Sequence, residues 1–563
     1  MSERRFRSVE LSITPAGSRS LVREPRTGRS ALMSGVAVLL LRSCRRFQTL
    51  KAHAASRASP RRVLPILRQL RDEGWLESPE DILADLALAA DIAAPPIASV
   101  AVITRDSPMM LGRCLQSTAA SLEAYGHSAA LAVFDDSEGA AAASTARQAA
   151  RFNATLFDRA SRRALRRRLV EAGAPVLPVR FALEGSPGLV RGAGVSRNAA
   201  LLTLGGANLL LDDAVFCQGV HTDGGPARLD TAPDPCAVRW YPSRADALSE
   251  ATPLDLIRAH QQALGREVGA LLPPDAASAA WWDRVPPSMT AALRGGGCRV
   301  AATTLGALGD SDAGDTHWQL HLRGDAAALA RERWDEVRLC RDVRRAPDAV
   351  VLSGASTFPT LAIGLDSRQL LPPFLPSGHD AGELFGLTLR RADPESLIAA
   401  LPVAIAHDPP EHRRETEAAL REGLARLTIT DLVGWAMSEA RPRGDASSRL
   451  AGLGESLMAV GRWPLSDLSE WLHERWRRRL ALGCGALEAL AADVEGTASW
   501  FADAEAAREA LLVRAMGEPP RVVELSPGLE GDAALAAVRA HLVAFGELLI
   551  AWPEIVGVGR GLV

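Results

Sequence analysis

The sequence lacks a long apolar run near its start, a cysteine cluster at metal spacing and an excess of charge of either sign. Each absence removes a class of function. The most apolar early stretch, GVAVLLL at residues 35–41, is far short of the roughly 18 to 20 residues a span requires, and no small-residue cleavage site follows it. No membrane span is expected, and the chain reads as cytoplasmic. Seven cysteines, Cys44, Cys114, Cys217, Cys236, Cys298, Cys340 and Cys484, lie scattered with no CxxC and no neighbouring His, which excludes a disulfide framework and a zinc site and leaves reduced thiols. With 64 basic and 67 acidic residues the net charge is −3, so nothing global favours nucleic acid or a membrane surface. Gly295–Gly297 precede Cys298 without the Lys-Ser or Lys-Thr of a P-loop and read as a turn. There is no internal repeat. What remains is 563 residues, 47% of them hydrophobic, enough for three or four domains with their own cores. Abundant Ala, Arg and Gly go with a bacterial source.

Residues 1–90 form a first unit. VELSITPAGSRSLVRE has the alternation and turn residues of a hairpin. Three helical stretches follow: SALMSGVAVLLLRSC, FQTLKAHAA and PRRVLPILRQLRDEGWL. In the last, Val63, Ile66, Leu67 and Leu70 share a face, with Pro60 at the start and Gly74 at the stop. This order outlines a winged helix and resembles the PqqD-like domains, which recruit leader peptides to enzymes that modify ribosomally made peptides. Arg61, Arg62, Arg68 and Arg71 on the third helix also permit a DNA reading, but a solvated face is the plainer account.

After the Pro-containing linker ADIAAPPIA the rhythm changes to that of an α/β domain with a mostly parallel sheet, residues 97–410. SVAVIT, ALAVFDD and ANLLLDD are short, non-alternating apolar strands, as expected of strands covered on both faces. Ligands in such sheets sit outside the carboxyl ends of the strands. Thr104-Arg105-Asp106, Asp135-Asp136-Ser137 and Asp212-Asp213 all fall there. From about residue 224 to 347 the pattern is hard to read, and residues 411–563 read as an appended all-helical domain, a candidate surface for oligomerisation.

SVAVITRDSPMMLGRCLQS, LAVFDDSEG and GVSRNAALLTLGGANLLLDD, in that order, resemble the family 2 glycosyltransferases of GT-A fold. LPPFLPSGHDAGELFG and AIAHDPP resemble that family's later acceptor-side motif and closing His. The resemblance implies transfer of a sugar from a nucleotide sugar, UDP-sugar favoured, to a peptide or small-molecule acceptor delivered by the first unit, with inversion. It implies Asp212, Asp213 and His407 as ligands of Mg²⁺ or Mn²⁺, which would neutralise the diphosphate leaving group. It also implies Asp135 or Asp136 on the uracil N–H, Arg197 near the diphosphate with its neighbour Asn198, and Thr104 and Arg105 in the nucleotide pocket. The base that takes the acceptor's proton would be Asp380 or Glu383.

Two positions depart from the family pattern. Ala214 stands where a further acid is usual, and Gly382 falls where the base would align. The alternative to an enzyme is therefore a non-catalytic GT-A-like scaffold that binds a nucleotide or a peptide. A DNA-reading winged helix with a sensor domain ranks last, for want of a basic footprint. Three other features read as structural. GALGDSDAGD, residues 306–315, is an acidic turn and not a calcium loop. RRALRRRL, residues 162–169, is a solvated basic face, with phosphate or lipid contact as the sharper alternative. Trp463, Trp471, Trp476 and Trp500 serve helix packing.

Overall fold

In the strand Ile97–Thr104, Val100 and Val102 pack into one hydrophobic core and Ala101 and Ile103 into another, so the two side-chain faces of one strand serve both sides of a sheet. Ala207–Asp212 does the same with Leu209 and Leu211 against Leu210. The computed structural model describes residues 3–562 other than 58, 88–92, 223, 231–236, 296, 314–317, 323, 355–357, 379–380, 411–415, 417–422, 424 and 493–496.

The sheet orders its main strands as Thr155–Phe157, Ala130–Asp135, Ile97–Thr104, Ala207–Asp212, Ala362–Asp366, Arg299–Asp310 and Ser396–His407. Numbered by position in the chain, that order is 3-2-1-4-6-5-7. Ala362–Asp366 runs antiparallel to both neighbours, while the other adjacent pairs in this series are parallel. Ala349–Ser353 and Val215–His221 also add to Ser396–His407 antiparallel. The expected mostly parallel sheet is thus a large mixed one. Successive strands are laid down to one side of Ile97–Thr104 and then, from Ala207–Asp212 onward, to the other, and the crevice at the carboxyl ends of these two parallel strands is the topological switch point.

The first unit carries three strands beyond the expected hairpin: Arg7–Ser8 pairs with Leu76–Glu77, and Ser30–Ser34 extends the hairpin itself. Ser30–Ser34, assigned above to a helical stretch, instead pairs with Arg19–Arg23, and the helix Gly35–Ser43 starts only after Ser34 caps it by accepting from the Ala37 N–H. Helices Gly35–Ser43, Leu50–Ala55 and Pro60–Asp72 follow. This unit is fastened to the rest. Arg7, buried, donates to Glu77 at 3.2 Å and to Thr290 at 2.9 Å, and Phe47 meets Trp282 edge to face at 5.9 Å.

Residues 411–563 are mainly helical where described, but they are not set apart. Phe545, Leu549 and Trp552 of the helix Gly531–Leu562 share a core with Ala101, Leu210 and Ile363 of the sheet, and Trp552 Nε1 donates to the Leu371 carbonyl at 2.7 Å. By length and composition alone this helix could cross a bilayer; here ten of its residues are buried against the protein. Trp476 and Trp500 are core residues, whereas Trp463 is half exposed and leans edge to face on Trp471 at 6.1 Å. The described cysteines are unpaired thiols.

Candidate functional site at the strand carboxyl ends

Sheet register assembles the site. Thr104 lies opposite Asp135, and Ile103 opposite Asp212, so the acids end neighbouring strands in one row. Across the switch point the Thr104 hydroxyl donates to Asp213 Oδ2 at 2.5 Å. Asp212 Oδ1 accepts from the Ala214 N–H at 3.0 Å, closing the turn into Val215–His221. Burial, together with the neighbouring Asp212 charge, pushes the Asp213 carboxyl up to about 7, in spite of the hydrogen bond from Thr104.

The two aspartates at the end of the second strand play different parts. Asp135 accepts from the Ser137 N–H at 2.9 Å and from its hydroxyl, and burial raises its carboxyl. Asp136 is enclosed by guanidinium groups: Arg162, Arg159 Nε at 3.1 Å and Arg191 Nη1 at 3.0 Å. Burial alone would raise it, but the three arginines outweigh burial and hold it below the usual range. A carboxylate so occupied has little left for a nucleobase. Arg162 sits within the stretch read as a solvated basic face. Its helix, Arg159–Glu171, turns Arg162 inward toward the acidic strand end, where it is buried. Beside this cluster lies a cleft of about 320 Å³ lined by Arg105, Asp106, Glu138, Arg159, Leu189 and Arg191. Asp106 holds a left-handed backbone, φ 55°, secured by its N–H to the Ser137 hydroxyl at 2.7 Å, the kind of local strain that clusters at functional sites. Arg105 is exposed and donates to the Arg191 carbonyl at 3.1 Å.

Arg197 and Asn198 share the helix Gly194–Thr203 but not a role. The Asn198 amide donates to the carbonyls of Ala182 and Phe374 and accepts from the Phe374 N–H at 2.8 Å, so it is taken up by the scaffold. Arg197 is 5% exposed; one Nη donates to the Thr360 hydroxyl at 2.9 Å, and Nε has no hydrogen-bond partner. Burial lowers its pKa, while the charges of Asp212 and Asp312 act to restore it.

His407 ends the strand Ser396–His407 and pairs with Val215, next to Ala214. Its Nδ1 is 2.9 Å from the Asp310 carbonyl oxygen. A carbonyl only accepts, so Nδ1 carries a proton, which in the neutral ring leaves the lone pair on Nε2. Asp310 in turn is buried and clasped by Arg244 and Arg341. The stretch 306–315, read as an acidic turn, is a strand through Asp310. Asp380 lies outside the described residues. Glu383 is exposed in the first turn of the helix Ala381–Ala392. Gly382 is explained by packing: a Cβ there would stand 2.3 Å from the Phe358 carbonyl oxygen.

Among the described residues no three His, Cys, Asp or Glu side chains form a metal cluster, Asp212, Asp213 and His407 included. Two adjacent carboxylates flanked by a methyl group do not make a self-sufficient cage. They do fit Mg²⁺, which is commonly held by one or two carboxylates together with substrate phosphates.

Thr360, Asp312, Arg162 and Arg191 were not singled out from the sequence. The basic run that follows the acidic strand end was the available signal for Arg162. Thr360, far from Arg197 in sequence, left none. The chain matches no family model, no curated protein and no solved structure.

Proposed function

We propose that the chain is a glycosyltransferase of GT-A type that takes a sugar from a nucleotide diphosphate sugar and passes it to a peptide or small-molecule acceptor in the bacterial cytoplasm. One observation carries the reading: at the switch point of a 3-2-1-4-6-5-7 sheet, the adjacent carboxylates Asp212 and Asp213 end a strand beside the buried Arg197, whose partner Thr360 precedes the residue that accepts from the Asp212 N–H. Carboxylates and a guanidinium at one crevice suit a ligand that brings both cation and phosphate. Mg²⁺ or Mn²⁺, held by Asp212 and Asp213 without His407, would neutralise charge on the diphosphate. Arg197 binds the phosphates from the other side. Thr104 fixes Asp213, and Arg105, Arg159 and Arg191 line the cleft for the nucleoside. In the transfer the bond from the anomeric carbon to the phosphate oxygen breaks, the acceptor oxygen bonds that carbon from the opposite face, and the acceptor's proton passes to a carboxylate, Asp380 or Glu383. The nucleoside diphosphate leaves. The unit at the start of the chain, with its PqqD-like order, is the part suited to present a peptide acceptor.

Calorimetry with UDP, with and without Mn²⁺, tests this on the wild type and on a variant with Asp212→Ala and Asp213→Ala. Binding in the presence of Mn²⁺ is expected, with the double variant at least about tenfold weaker. If UDP, GDP and other nucleotides all fail to bind in either condition, the transferase reading is wrong. The scaffold reading, favoured by Ala214 and by the packing role of Gly382, would then take its place.

A further inference from the structure

Five arginines among the described residues are buried: Arg7, Arg162, Arg197, Arg244 and Arg341. Four pair with a buried carboxylate, Arg7 with Glu77, Arg162 with Asp136, and Arg244 and Arg341 with Asp310. Arg197 does not. Its partners are one neutral hydroxyl, Thr360, and the face of Phe374 at 5.5 Å, and its Nε is buried without an acceptor. A hydroxyl and an aromatic face do not offset the burial of a full positive charge. The remaining donors of a planar guanidinium are shaped for a phosphate or carboxylate. Thr360, which Arg197 bonds, immediately precedes Leu361, whose carbonyl accepts from the Asp212 N–H at 2.8 Å, so the guanidinium is held beside the acidic strand end at the switch point.

We infer that Arg197 binds a diphosphate directly, with no divalent cation required, and that a cation adds to this affinity without creating it. The inference rests on the reading of the crevice as a nucleoside diphosphate site and names the chain's own group that holds the anion. It also gives a reason why the third acidic position can be Ala214: part of the neutralisation a metal would supply comes from a permanent charge at Arg197.

The probe is inorganic pyrophosphate, titrated calorimetrically into the full chain in excess EDTA and again with Mn²⁺. The wild type is expected to bind in EDTA and more tightly with Mn²⁺. Arg197→Met is expected to lose at least about tenfold in EDTA, and Arg197→Lys less, because it keeps the charge without the fork. Thr360→Val, which only frees the guanidinium to swing, is expected to lose a few-fold and covers the case in which the Arg197 variants do not fold. Wild-type binding that appears only with Mn²⁺ overturns the inference, as does undiminished binding in EDTA by Arg197→Met. UDP with Mn²⁺ separates the two levels: if UDP binds while pyrophosphate in EDTA does not, the inference alone fails; if UDP also fails, the reading beneath it goes too.

Discussion

Replacing His541 with leucine is expected to stabilise the protein at pH 7 and to stabilise it further at pH 5. His541 is fully buried on the helix Gly531–Leu562, edge to face with Phe181 at 5.2 Å, and neither ring nitrogen has a hydrogen-bond partner. Burying unpaired polar atoms costs about 1–3 kcal/mol, a cost a side chain of similar size and no polarity avoids. Burial also pushes the imidazole down to about 3, whereas an unfolded His titrates near 6.5. Between those values the unfolded chain holds a proton that the folded chain does not. Stability contributed by the neutral ring is therefore complete above pH 6.5 and is lost as the pH falls toward 3. From pH 7 to pH 5 the loss amounts to about 2 kcal/mol, which the leucine variant escapes.

The comparison of variant with wild type isolates this group. His260, also pushed down to about 3 by burial and bonded through Nδ1 to Thr303 at 2.7 Å, destabilises both proteins on acidification. Asp213 works the other way. Its carboxyl, raised to about 7 by burial and then by the Asp212 charge, takes up a proton in the folded state before the unfolded chain does, so acidification below 7 relieves the cost of the buried charge in both proteins. Urea denaturation of both proteins at pH 7 and pH 5 gives the measurement. A gap that does not widen on acidification means that His541 is hydrated or partnered, and the account of it here is wrong.

What the sequence made legible was whatever repeats with a short period or ends sharply. The strands at 97, 130 and 207 announce themselves by apolar runs that stop at a polar residue, an acid in the last two, and the switch-point row of Thr104, Asp135 and Asp212 follows from them. Depth was not legible. Arg162 and Arg197 look like any surface arginine in a helix, and only the tertiary structure shows one locked on Asp136 and the other lacking a carboxylate. The same holds for Asn198, whose amide spends all its bonds on backbone groups far away in sequence. Ser30–Ser34 was misread because its residues continue smoothly into an apolar helix; the strand exists because Arg19–Arg23 offers it a partner, and partner strands leave no mark in a local window. The C-terminal helices were read as a separate domain because a helical period says which face is apolar and nothing about what covers it.

The largest effect at the site itself is expected from a single methyl group. Gly194 opens the helix that carries Arg197, and a Cβ on it would stand 1.9 Å from the carbonyl oxygen of Leu375 and 2.6 Å from its carbon. The obstacle is backbone, not the far end of a flexible side chain, so one of the two segments must move. Residues 375–378 are themselves held by the strap before the helix: the Gly192 N–H donates to the Pro376 carbonyl at 3.0 Å, the Gly378 N–H to Val190 at 3.2 Å, and the Val190 N–H to the Glu524 carbonyl at 2.7 Å. The strap also carries Arg191 onto Asp136. Gly194→Ala therefore has no soft direction in which to relax. The expectation is a loss of about 3 kcal/mol or more, at the upper end of overpacking costs, with UDP affinity falling at least about tenfold because Arg197 and the chain leading to residue 380 are displaced together. Gly485→Ala supplies the contrast. It lies in the helix Leu465–Ala492 with nothing within 4 Å of an added Cβ, and is expected to gain about 0.5–1 kcal/mol from helix propensity alone with UDP binding unchanged. Denaturant midpoints and UDP titrations on both variants decide the matter. If Gly194→Ala is tolerated as well as Gly485→Ala, the helix does not lie against 375–378 in the working protein. Arg197 would then lose its fixed position beside the acidic strand end.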